Sequence, residues 1–130
     1  MLILTVRTDK PEAELGLFDG EQQLGYQAWQ AHRKLAETIH LQIEDLLKSQ
    51  KHKVADLEGI VAYKGPGSFT GLRIGISVAN ALADSLKIPI TGETGEPWVK
   101  KGVNRIMSGE NDRLVQPEYG APPHTTAPKR

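Results

Sequence analysis

Hydrophobic and polar positions along the chain predict strands first and helices afterwards. Leu2–Thr8 (LILTVRT) is rich in β-branched residues, and Ala13–Asp19 (AELGLFD) follows the turn formers Asp9, Lys10 and Pro11. Glu21–Trp29 (EQQLGYQAW) comes after Asp19-Gly20, a dipeptide that closes tight hairpins because both positions tolerate positive φ. These three runs predict an antiparallel meander. From Lys34 to Gln50 the apolar spacing becomes helical. Leu35, Ala36, Ile39, Ile43, Leu46 and Leu47 gather within about 120° of a wheel, with Leu41 nearly opposite. Leu57–Gly65 predicts a fourth strand, parallel to the first because a helix precedes it. A second helix over Gly71–Leu86 ends before Pro89, and Ile88–Thr91 (IPIT) adds a last short strand. The expected order is βββαβα(β), an α/β lobe with two helices on one face of a mixed sheet.

The second helix has more apolar surface than one sheet requires. Its polar residues Arg73, Ser77, Asn80 and Asp84 occupy only about 60° of the wheel. Gly71, Gly75, Ala79 and Ala83 repeat every four residues as a smooth track, although each internal glycine costs about 1 kcal/mol of helix stability relative to alanine. That combination has two readings. The first helix covers the excess, or the pair also faces a partner's helices.

Beyond Gly92 the pattern changes. Half of the eight prolines fall in the last fourteen residues, and Asn104–Arg130 reads as extended or irregular chain. The expected division is a lobe over residues 1–91 and a linker with a Pro-rich tail over residues 92–130.

Composition limits the chemistry. Sixteen basic and sixteen acidic side chains cancel, which argues against strong autonomous binding of nucleic acid. The densest basic block, Lys48–Lys53, is short and reads as a solvated helix end. Without cysteine, thiolate metal sites and disulfides are excluded. The apolar start is too short for a signal peptide or membrane span, so a cytoplasmic protein with no membrane contact is expected.

The loop between the fourth strand and second helix, GPGSFTGLRIG (Gly65–Gly75), has the look of a phosphate cradle. It lacks the lysine of a Walker loop, and Thr70 stands where the dinucleotide fingerprint needs its third glycine. Pro66 and Thr70 replace the glycines of a nucleophile elbow around Ser68. Thr70 is placed to cap the helix, which makes Gly65, Pro66, Gly67, Ser68, Phe69 and Thr70 a rigid strand-to-helix corner. The histidines His32, His40, His52 and His124 show no zincin-type pairing. No catalytic, metal or cofactor residue is assigned.

GPGSFTGLRIGISVANALA, preceded by EGIVAYK, closely resembles the signature of the TsaB (YeaZ) family, whose fold is the N-terminal lobe of the actin-like ATPases (ASKHA, RNase H-like). AHRKLAETIHLQIEDLL is similar to that family's first helix, and the tail QPEYGAPPHTTAPKR more weakly to its closing segment. The resemblance implies a non-catalytic dimerisation subunit for threonylcarbamoyladenosine formation at position 37 of tRNA. Its partners would be a TsaD-type catalytic subunit, met through the lobe's helices, and a TsaE-type ATPase. Alone it would form a homodimer, and its contact with tRNA would be indirect or weak. The implied interface is Gly71, Arg73, Gly75, Ile76, Ala79 and Ala83 with Leu35, Ile39, Ile43 and Leu46, and exposed Leu41 is added to it. On this expectation Gly75→Leu or Ala79→Arg abolishes pairing without unfolding the domain. Two departures stand out. Arg7-Thr8-Asp9-Lys10 replaces the usual Asp-Thr-Ser turn, and a second lobe is missing, so a shortened member is expected. The alternative is a small actin-like nucleotide-binding protein or ATPase.

Overall fold

The computed structural model describes residues 1–67 and 69–119. Strands β1 (Leu2–Arg7), β2 (Glu12–Asp19) and β3 (Gln22–Gln30) form the meander, with Gly20 at φ +58° in the second turn. After one turn of 3-10 helix at His32–Lys34 come α1 (Leu35–Ser49), β4 (Gly59–Gly65), α2 (Phe69–Leu86), β5 (Ile90–Thr94) and α3 (Trp98–Met107). One five-stranded sheet runs in the order β3-β2-β1-β4-β5, with β1 antiparallel to β2 and parallel to β4. β1 and β4 are almost continuously apolar because both of their faces are covered.

Pleating sorts those faces. Leu4 pairs with Leu17 and Ile60, and Leu17 pairs with Gly25, whose missing side chain makes room for Leu46 of α1. Ile3, Gly59 and Val61 point the other way, where Ile106 of α3 packs over Gly59 and Gly102 of α3 admits Val61. α1 and α2 therefore share one face, and α3 covers the opposite one.

α3 is the main departure from the expected linker over residues 92–130, and its last turn falls within the stretch from Asn104 expected to be extended or irregular. Trp98, Gly102, Val103 and Ile106 are buried along one stripe. Their i, i+4, i+5, i+8 spacing is helical, but Lys100, Lys101, Asn104 and Arg105 between them hide it. β5 also runs on to Thr94.

Past α3 the chain turns at Gly109 (φ +90°) and lies along the free edge of β5. Asp112 N–H donates to Ile90 O at 2.8 Å, Ile90 N–H donates to Asn111 Oδ1 at 3.0 Å, and Gly92 N–H donates to Asp112 Oδ2 at 2.9 Å. Val115 is buried, and the Asn80 amide bonds both its backbone groups at 2.9 Å each. Glu118 N–H donates to Lys64 O at 2.6 Å. An exposed strand edge invites foreign pairing, and this strap covers it.

Arg105 anchors the strap by gathering Glu93, Glu110 and Asp112. Burial works against the Asp112 carboxylate, but hydrogen bonds from Arg105 and the Gly92 amide outweigh it and hold Asp112 below the usual carboxylate range. A depressed carboxylate stabilises above its unfolded value and loses that contribution as pH falls through its folded one. Protection of the Gly92 amide in hydrogen exchange should hold from neutral pH to about pH 4, then fall. Constant protection down to about pH 2 would remove Asp112 from this role.

Candidate functional site

β1 delivers Arg7, Thr8 and Asp9 to the C-terminal end of the sheet, beside the end of β4. Asp9 is only 8% exposed and is bound by Arg7, with Nε to Oδ1 at 2.8 Å and Nη2 to Oδ2 at 3.2 Å. The guanidinium lies 4.0 Å from the centre of the Tyr63 ring, and that ring meets Trp98 edge-on at 5.6 Å. Tyr63 donates its hydroxyl to Pro66 O at 3.1 Å. Hydrogen bonding to Asp9 lifts Arg7 further above its ordinary value. A buried carboxylate survives only when paired, and Arg7 supplies the pair. Both oxygens of Asp9 are thereby engaged, and among the described residues no three His, Asp or Glu side chains are grouped to hold a metal ion.

The glycine loop packs on this corner. A Cβ on Gly65, which adopts φ +130°, would collide with the Glu118 carbonyl of the strap. One on Gly67 would collide with Asp9, and one on Gly75 with Thr8. The Thr8 hydroxyl donates to Gly71 O at 2.7 Å, tying β1 to the first turn of α2. Three glycines thus serve close approach of backbone to neighbours. α2 begins at Phe69, so Thr70 is inside the helix and does not cap it. The residue preceding the helix, Ser68, lies outside the described residues, as does the Phe69 side chain and the closing segment from residue 120.

The expected interface residues separate into two groups. Leu35, Ile39, Ile43, Leu46, Ile76, Ala79 and Ala83 are all buried within this one chain, and Gly75 is buried against Thr8. Gly71 is half-buried, while Leu41 (58% exposed) and Arg73 are open. The smooth track therefore turns toward the sheet, so Gly75→Leu and Ala79→Arg would place their new side chains in the core, and both should lower the thermal midpoint of the domain itself. The wheel separated apolar from polar positions, but it could not tell which part of a broad apolar arc meets the sheet. The outer flank of that arc is Ile74, Val78 and Leu82, half-buried at four-residue spacing. The same wheel contains these residues. Only the orientation of the helix singles them out.

Among the described residues no helix is long and apolar enough to cross a membrane. The family model described as TsaD: tRNA N6-adenosine threonylcarbamoyltransferase matches residues 24–94. The tRNA threonylcarbamoyladenosine biosynthesis protein TsaB of Escherichia coli is 30% identical over 95 residues, which cover 65% of this chain and 41% of that protein. Among solved structures, YeaZ from Pseudomonas aeruginosa aligns with a TM-score of 0.66 and 26% identity, over 72% of this chain and 43% of that one. Thermus thermophilus RuvC in complex with a Holliday junction substrate aligns over 95% of this chain and 85% of its own, with a TM-score of 0.53. At 12% identity it speaks for the fold alone, the RNase H-like, actin-like α/β type. The chain spans about two fifths of the length of the TsaB and YeaZ relatives. The matched segment holds α1, the glycine corner and α2 together, and by it the chain belongs to the family of tRNA N6-adenosine threonylcarbamoyltransferase-related proteins, among its TsaB members.

Proposed function

We propose that this protein is a non-catalytic subunit of the apparatus that forms threonylcarbamoyladenosine in tRNA, and that it docks on a TsaD-type transferase through the outer flank of α2 beside α1. The observation that carries this reading is the half-buried row Ile74, Val78 and Leu82, with Ala81 exposed next to it. Contiguous apolar surface left open on a folded domain marks an interaction site. The Thr8–Gly71 bond and the Gly75 contact fix α2 on the sheet, so the row is presented as a rigid surface and little ordering is needed on docking. Without its partner the same row favours a symmetric homodimer. A TsaE-type ATPase joins the complex on this reading.

Val78→Arg places a charge in the row at a half-buried position, from which the long side chain can reach solvent while the fully buried residues Leu72, Ile76, Ala79 and Ala83 are unchanged. It should weaken pairing with a TsaD-type subunit by about 100-fold, or about 2.7 kcal/mol, with an unchanged circular dichroism melt. Co-elution of the variant at wild-type stoichiometry in size-exclusion chromatography would place the docking surface elsewhere. The nucleotide-binding alternative meets Asp9 already bound by Arg7. Calorimetry with ATP and magnesium tests it, and micromolar affinity would restore it.

A further inference from the structure

A cleft of about 640 Å³ opens where the N-terminal ends of α1 and α2 approach the β1–β2 turn. We propose that this cleft is a phosphate-backbone site that holds RNA beside the docking flank. Lys10 enters from the β1–β2 turn, and His32, Arg33 and Lys34 from the 3-10 turn before α1. The two turns are tied together, since Ala31 N–H and His32 N–H both donate to Pro11 O, at 2.9 and 3.3 Å. His32 adopts φ +47°, a left-handed conformation that costs a non-glycine residue about 1 kcal/mol or more and that concentrates at functional sites.

Scattered surface lysines are ordinary, but this arrangement differs in its charge balance. Other clefts that gather cations hold carboxylates with them: Lys100 sits with Glu21 and Glu96, Lys64 and Arg105 with Asp112 and Glu118, Lys87 and Arg113 with Asp84, and Lys48 and Lys53 with Glu44 and Asp45. Among the described residues Lys10, Arg33 and Lys34 make no ion pair within 4.0 Å, and no carboxylate lines the cleft. Within a chain of zero net charge, this cleft therefore has a surplus of positive charge in its lining. Leu35 and Ile74 add apolar wall, so phosphates find cations at the rim and a base finds a greasy surface inside. Ile74 also belongs to the docking row, which makes the cleft continuous with the proposed partner surface. The charge surplus stands by itself; the choice of RNA as occupant rests on the proposed function.

Fluorescence anisotropy with a labelled, unmodified tRNA transcript tests this, using the full chain alone and with a TsaD-type subunit, between 50 and 200 mM salt. The Lys10→Ala/Arg33→Ala/Lys34→Ala variant should bind at least about tenfold more weakly at 100 mM salt, and its log–log salt slope should be shallower by about 2. The charge-matched Lys48→Ala/Lys51→Ala/Lys53→Ala variant should bind within twofold of the parent. Equal losses in both variants, no loss in the first, or no tRNA binding by the parent in either setting overturns the proposal. Displacement of the tRNA by millimolar ATP, lost in the first variant, would instead make the cleft a free-nucleotide site. Size-exclusion on the same samples separates the two readings. Charge variants should pair normally, whereas Val78→Arg should lose pairing and keep the salt slope of the protein alone.

Discussion

Gly75→Ala should destabilise the protein by about 3 kcal/mol, read as a lowered urea midpoint at unchanged slope. Two effects of opposite sign meet at this position. Alanine in a helix interior is favoured over glycine by about 1 kcal/mol. Against that, the new methyl would overlap Thr8 Oγ1, lie 2.7 Å from Cγ2 and 2.9 Å from Cβ. Thr8 is short, β-branched and fully buried, and its hydroxyl is committed to Gly71 O, so it has no rotamer to retreat to. The steric term wins. Combining Gly75→Ala with Thr8→Ala removes two of the three clashing atoms, so the pair should cost less than the sum of the single changes. Ser77→Ala, on the exposed side of the same helix, should stay within about 0.5 kcal/mol. A stabilised Gly75→Ala variant would mean that α2 does not lie this close to β1.

Asn80→Ala should release the strap while the meander stays folded. The side chain makes two hydrogen bonds to Val115, and its removal leaves a half-buried N–H and C=O without partners. Each such loss costs about 1–3 kcal/mol. Exchange at the Val115, Asp112 and Glu118 amides should therefore accelerate by about 100-fold, with β1 to β3 unaffected. Asn80→Asp keeps the acceptor and loses the donor, so its effect should be intermediate. Unchanged exchange in Asn80→Ala would show that Arg105 and Asp112 hold the strap without help.

Local order in this protein was legible in the sequence because it follows from short-range periods and turn chemistry. Alternating and aliphatic runs placed β1 to β4, Asp19-Gly20 placed the hairpin, and the stripe from Leu35 to Leu47 placed α1. The Gly65–Gly75 motif identified the family. α3 was within reach of the same reasoning through Trp98, Gly102, Val103 and Ile106, but the charged residues between them and the nearby prolines obscured it.

What tertiary structure alone decided is the direction and company of these groups. A helix that is apolar over most of its circumference does not declare which part meets the sheet; contact with Thr8 turned the Gly75 track inward and left Ile74, Val78 and Leu82 outside. Asn80 found Val115 thirty-five positions away. A net charge of zero likewise says nothing about where charges lie, and only the β1–β2 turn brings Lys10 to the basic run at residues 32–34. Periodicity is a property of backbone geometry over a few residues, whereas burial and local charge depend on which distant segments pack together.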